Sequence, residues 1–282
     1  MNRLPGLTRL VVAIGTALLS FASASGQNAP SLKVMISSGF RAAYEELVPE
    51  FERKTEHTIV TVYGGSMGNA PSTIPNRLQS GESADVVILA TPALEELVKK
   101  HKVIPGTRVD LAQSLIAMAV RAGAQKPDIS TLEGLKRTLL AAKSIAYSDS
   151  TSGVYLSTEL FQRLGIADEI QSKCMRIDTG MVGTVIARGD AEIGFQQLSE
   201  LLPIAGIDIV GTIPPKAQKI TEYSGGVVVN SKQHAIAKQF LQFLASPEAA
   251  ATIKKSGMQP VSESLTTNGN STSETTAYAH ER

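Results

Sequence analysis

The 282-residue sequence predicts an α/β protein of mainly parallel sheets flanked by helices. Strand-like runs alternate with segments of helical period through most of the chain, the pattern of successive β-α-β units. One run, "ADVVILA" (84–90), is apolar on both faces, as a strand covered by helices on each side must be. A hydrophobic content of 43% can fill the core that such layers need.

The elements follow in order. "SLKVMIS" (31–37) reads as the first strand, and "FRAAYEELVPEFERKTE" (40–56) then sets Phe40, Tyr44, Leu47, Val48 and Phe51 at helical spacing. "HTIVTVYG" (57–64) is a second strand, "TIPNRLQSG" (73–81) a short helix and "ADVVILA" the third strand. Thr91-Pro92 reads as the cap and first helical position of "TPALEELVKKH". After the strand "LIAMAVRAG" (115–123), Ser130 to Glu133 fits a capping box for "LEGLKRTLLAA". "SIAYSDS" (144–150) is a strand entering a loop, and "SGVYLSTELFQRLG" a helix that stops at Gly165. "TGMVGTVIARG" (179–189) is a helix followed by the strand "AEIGFQQ", and then by the apolar runs "IDIVGTIP" and "GGVVVNS". The helices "HAIAKQFLQFLA" (234–245) and "SPEAAATIKKSG" (246–257), the latter capped by Ser246, close the ordered part.

Both ends read differently. Residues 1–26 carry Arg3 and Arg9, an apolar run from Leu10 to Ala22 and the small triplet Ala22-Ser23-Ala24, the three regions of an export signal peptide. That run is shorter than the roughly 20 residues of a membrane span. Residues 262–282 are expected to form a disordered tail, because nine of the fifteen residues from Ser262 to Thr276 are Ser or Thr and offer little apolar surface to bury. Asn270 in that tail heads an Asn-Ser-Thr triplet, which a bacterial export signal deprives of weight as a glycosylation site.

Composition narrows the function classes. A formal net charge of +1 without a basic block argues against a nucleic-acid partner. Cys174 is alone, which rules out an intramolecular disulfide framework and reads as a structural thiol. Trp is absent, which counts against stacking on a sugar ring. No His or Cys pair stands at metal-ligand spacing, so no metal and no cofactor are expected. The segment "YGGSMGN" (63–69) lacks the Gly-Lys-Ser/Thr of a phosphate loop, and its likeness to a nucleophile elbow around Ser66 has no histidine base placed to support it.

What remains is a set of loops rich in Ser, Thr and Gly where strands give way to helices: Ser37-Ser38-Gly39, Gly65-Ser66, Ser148 to Gly153, and Thr179 to Thr184. In parallel sheets ligands bind beyond the carboxyl ends of the strands, and helix N-termini favour anions. Together these loops point to an anion pocket.

The segments "MISSGFRAAYEELVPEFERKTEHTIVTVYGGS", "SGESADVVILA", "IAYSDSTSGVYLSTELFQRLGI", "VIARGDAEIGF" and "AIAKQFLQFLASPEAAATIKKSGMQPV" resemble the periplasmic molybdate-binding proteins of ABC transporters, of the type 2 periplasmic-binding fold. The superfamily also includes periplasmic aconitate isomerases. The resemblance implies two lobes closing on a ligand, residues 31–111 and 224–261 forming the first and 112–223 the second, with crossovers near Asp110–Leu115 and Thr221–Gly226. It implies ligand contacts from Ser38 or Gly39, Ser66, Ser150, Thr151 and Ser152, then Met181 to Thr184, hence Val182, Gly183 and Thr184. Gln197 stands where the family commonly has a tyrosine.

Two departures shift the expected ligand. The segment 68–83 is longer and richer in proline than the family's. Arg41 lies in the first turn of a helix, where a cation opposes the dipole and where it could grip a carboxylate in a bidentate manner. With Gln196 and Gln197 this favours an organic polycarboxylate over molybdate or tungstate. The expected function is therefore an exported, monomeric solute-binding protein for a small oxyanion, serving ABC-type uptake. Its alternative is a cofactor-free isomerase interconverting trans- and cis-aconitate in the same cleft. For the latter, Tyr63, Asp149 and Asp178 lie near the loops, without one of them standing out as the base.

Overall fold

The computed structural model describes residues 31–178 and 180–261. The expected export signal, the Ser/Thr-rich tail with Asn270, and Thr179 lie outside the described residues. The strands are β1 (Leu32–Ser37), β2 (Ile59–Gly64), β3 (Val86–Ala90), β4 (Val109–Ser114), β5 (Ile116–Arg121), β6 (Ile145–Ser148), β7 (Cys174–Ile177), β8 (Ile193–Gln197), β9 (Ile207–Thr212), β10 (Thr221–Val227) and β11 (Gln259–Pro260). The helices are α1 (Arg41–Thr55), α2 (Ile74–Gln79), α3 (Thr91–Lys99), α4 (Leu132–Ala141), α5 (Thr151–Tyr155), α6 (Phe161–Arg163), α7 (Ala167–Ile170), α8 (Val182–Arg188), α9 (Leu198–Leu201), α10 (His234–Leu244) and α11 (Pro247–Lys255). A π-helical turn, Leu156–Leu160, joins α5 to α6.

Two mixed sheets result. One has the order β11-β4-β10-β3-β1-β2 and the other β7-β6-β8-β5-β9. The expected parallel pairing is the heart of each: β1 with β2 and β3, and β6 with β7 and β8. Antiparallel pairing is added by the strands that carry the chain between sheets, β4 and β10 in the first and β5 in the second. The chain crosses at Leu115, between β4 and β5, and returns through residues 213–220 into β10. The lobe limits expected at 111/112 and 223/224 thus fall inside β4 and β10, both of which pair within the first sheet.

Strand parity explains the layers. In β1, Leu32, Val34 and Ile36 face one way and pack with Tyr44, Leu47 and Phe51 of α1 and with Phe240 and Leu241 of α10. Met35 faces the other way, toward Ile74, Leu94 and Leu97 of α2 and α3. Phe240 meets Phe51 with ring centroids 4.9 Å apart in an edge-on arrangement. The second sheet is covered likewise, Leu135, Leu156 and Ile170 on one face and Val182 and Ile186 on the other.

Some local readings are corrected. Thr91 is the first residue of α3 rather than its cap, and its hydroxyl instead meets Ser224 Oγ of the crossover strand at 2.5 Å. The cap of α4 is Thr131, not Ser130: its Oγ1 accepts from the Gly134 N–H at 3.0 Å. The edge strand β7 was not expected, because "CMRI" is short and breaks the apolar pattern with Arg176. Ser246 caps α11 as read, accepting from the Ala249 N–H.

Candidate functional site

The carboxyl ends of β1, β2, β6, β7 and β8 run out toward one place. There a cavity of about 220 Å³ opens between the two sheets, lined by Ser38 and Gly65 on one side and by Ser148, Asp149, Ser150 and Gln196 on the other. Glu200 completes its wall. Each residue stands where it does because a strand stops: Ser38 follows β1, Gly65 follows β2, Asp149 and Ser150 follow β6, and Glu200 sits in α9 straight after β8.

Glu200 is the chemical centre of this cavity. It is 2% exposed, and its Oε1 accepts from the Ser38 hydroxyl at 2.6 Å, a bond from one sheet's lobe to the other's. Burial pushes the Glu200 carboxyl above its ordinary range, and hydrogen bonds from Ser38 and Gln196 oppose that only in part. A parallel link holds the neighbouring backbone, where the Ser199 hydroxyl donates to the Gly39 carbonyl at 2.7 Å. Asp149, at the rim, is also shifted upward, first by burial and then by the charge of Asp178. Asp178 itself pairs with Arg176 at 2.7 Å.

The residues expected from sequence separate into groups. Ser38 and Ser150 line the cavity, as do Asp149 and Asp178. Ser152 is buried behind them with its hydroxyl unpartnered among the described residues, as is that of Ser148 on the lining. Thr151, half-buried, opens α5. Gly39 is covered: a Cβ there would stand 1.8 Å from Tyr223 Oη, so only glycine allows the β1 loop to lie on β10. Val182 has its N–H taken by Gln196 Oε1 at 3.0 Å, Gly183 packs against Ile204, and Thr184 is exposed. Gln197 is turned by strand parity to the opposite face from Gln196 and donates to Thr221 Oγ1 at 2.8 Å.

Ser66 has a structural position. It is buried, its hydroxyl donates to Ser37 Oγ at 2.8 Å and accepts from the Ala90 N–H at 2.9 Å, tying β1, β2 and β3 together. Ser66→Ala would leave the buried Ala90 donor unpaired, so a loss of about 1–3 kcal/mol in unfolding free energy is expected, with ligand affinity little changed. Denaturant titration alongside calorimetry checks this, and a loss of affinity without a loss of stability would return Ser66 to the site.

Arg41 lines a second cavity of about 260 Å³, which shares Ser38 and Glu200 with the first and is otherwise walled by Ala42, Glu45, Met181, Ser199, Pro203 and Ile204. Its Nε donates to Glu45 Oε1 at 2.7 Å, and its guanidinium lies over the Tyr63 ring, 4.3 Å from the centroid. Tyr63, outside both cavities, donates its hydroxyl to the same Glu45 oxygen at 2.7 Å.

Glu200 was not expected. A glutamate three residues past a strand reads as the solvent face of a helix; the available signal was its place in the first turn after a strand that ends at the cleft.

Residues 32–259 match the family model of the bacterial extracellular solute-binding proteins. The chain belongs to that family. Among its relatives within and around this family, it is 47% identical over 260 residues to an aconitate isomerase from Pseudomonas sp, covering 92% of this chain and 97% of the relative. It is 26% identical over 249 residues to the molybdate-binding protein ModA of Escherichia coli (strain K12), covering 86% and 94%. In fold, this solute-binding protein is similar to the Azotobacter vinelandii periplasmic molybdate-binding protein, with a TM-score of 0.66 at 24% identity, over 80% of this chain and 98% of the other. The two-lobed periplasmic-binding architecture expected from the sequence is thereby the architecture of the chain.

Proposed function

We propose that the protein is an exported isomerase that interconverts trans- and cis-aconitate in the cleft between its lobes. The observation that carries this is Glu200, a buried carboxyl that faces the cavity lined by Ser38, Ser148 and Ser150 and is held by Ser38 from the opposite lobe. The 47% identity to an aconitate isomerase supports it. A tetrahedral oxyanion such as molybdate would need neutral donors alone, and would leave a buried acid with no role.

The chemistry needs one group able to move a proton between carbons. Ionised Glu200 takes a proton from the methylene carbon next to the double bond. The electron pair shifts across the allylic system, and negative charge builds on the oxygens of the conjugated carboxylate. Glu200 then returns a proton to the former vinyl carbon, so the double bond has moved by one position and can close in the other geometry. Nothing is oxidised or reduced, and product and substrate have one formula. A base whose pKa burial has raised is better matched to a carbon acid than an exposed carboxylate is. The hydroxyls of Ser148 and Ser150 are placed to donate to the charged oxygens.

Family membership favours a second reading, in which the protein captures a polycarboxylate in the periplasm and hands it to an ABC permease. Incubation of the purified mature protein with trans-aconitate, followed by proton NMR, separates the two. The cis isomer is expected to appear; saturable binding with unchanged substrate would leave the transport reading.

A further inference from the structure

We propose that the second cavity is a separate carboxylate subsite, with Arg41 as the residue that selects three carboxylates over two. The inference rests on the reading of the cleft as a polycarboxylate site and adds how the ligand is divided between its two chambers. Ser38 and Glu200, hydrogen-bonded to each other, stand in the walls of both cavities, so a ligand with a group in each chamber would lie against the Glu200 carboxyl. The first chamber offers the hydroxyls of Ser148 and Ser150 beside the carboxyls of Asp149 and Asp178 and has no cation on its lining, whereas the second carries the guanidinium of Arg41, next to Glu45, among Ala42, Met181, Pro203 and Ile204. A carboxylate there finds a fork of donors that it can engage in a bidentate manner.

The setting of Arg41 suits a residue that is held ready. It opens α1 with no acid in the first turn to offset its charge against the helix dipole. Its ion pair with Glu45 engages Nε, one of the five N–H donors of a guanidinium, and leaves the others to a second carboxylate. Glu45 Oε1 also accepts from the Tyr63 hydroxyl. When Arg41 turns to a ligand, Glu45 therefore keeps a hydrogen bond, and the exchange leaves no bare carboxylate. Tyr63 supports the guanidinium plane from below throughout.

The arrangement predicts opposite effects from two adjacent residues. Calorimetry with tricarballylate, a saturated tricarboxylate that cannot isomerise, and with malonate, a short dicarboxylate, reads them out on the full mature protein. Arg41→Gln is expected to weaken tricarballylate binding about tenfold or more, with a much smaller effect on malonate. Glu45→Gln, which removes the competitor for Arg41, is expected to tighten tricarballylate relative to malonate. An unchanged ratio of the two affinities in both variants, or an equal shift for both ligands as plain charge steering would give, overturns the subsite. Wild-type protein that binds tricarballylate in this Arg41-dependent way but never converts aconitate would sink the isomerase reading and leave the subsite standing.

Discussion

Glu200→Gln is expected to lower the rate of aconitate isomerisation by about 10²–10⁴-fold, the range by which a positioned acid–base group accelerates proton transfer. Glutamine keeps the shape and can still accept from Ser38, so tricarballylate should bind the variant with affinity close to that of the wild type. A rate within a few-fold of the wild type would remove Glu200 as the base, and Asp149 and Asp178 would then be the carboxyls left on the cavity wall. The same variant has a pH signature in stability. Because burial raises the Glu200 pKa above its ordinary 4.5, the folded chain holds a proton there that the unfolded chain has released. The stability from this group is full below the ordinary value and falls as pH rises through the raised one. Glu200→Gln removes that fall, so the variant should gain on the wild type as pH is raised, measurable as a widening difference in Tm.

Gly153→Ala should be the most damaging small change in the cleft. A Cβ at this position would lie 1.6 Å from the Ser148 carbonyl oxygen and 2.7 Å from its carbon. Those are backbone atoms at the end of β6, which a rotamer change cannot move aside. The start of α5 must lift from the strand, and Ser148, Asp149 and Ser150 go with it. Overpacking of this kind costs about 1–3 kcal/mol or more, equivalent to a fall in Tm of about 2–12 °C for a chain of this size. Affinity for tricarballylate should fall together with Tm. A variant with native Tm and native affinity would mean that the 148–153 loop is not the rigid wall described above.

The fold was legible because its signals are periodic. β1 and α1 switch from period two to period three and four across Ser37–Arg41, and the burial of Leu32, Val34 and Ile36 on one face and Met35 on the other follows that alternation. The loops at the strand ends were legible for the same reason, since a strand that stops beside Ser, Thr and Gly marks the end of a sheet where ligands gather. Orientation within a loop was not. Ser38 and Ser66 both follow strands and look alike in sequence, yet one hydroxyl reaches Glu200 across the cleft and the other is consumed between Ser37 and Ala90. Gln196 and Gln197 differ only by parity, which one residue of register decides. Glu200 was missed because α9 has four residues, too few to display a face in the sequence. Its burial depends on packing against the Ser38–Phe40 turn, 160 positions away in the chain between Gly39 and Ser199, and no local pattern encodes such a contact.

The central claim is that the cleft moves a proton between two carbons of one substrate, and the fate of a single labelled carbon tests it most directly. Trans-aconitate carrying ¹³C at its vinyl carbon, incubated with the mature protein and read by carbon NMR, should yield cis-aconitate with the label in the methylene position, because the proton shift turns the old vinyl carbon into CH₂. Cis-aconitate that keeps the label on the vinyl carbon would mean rotation about the original double bond with no net transfer of a proton between the two carbons, and would contradict the role assigned to Glu200.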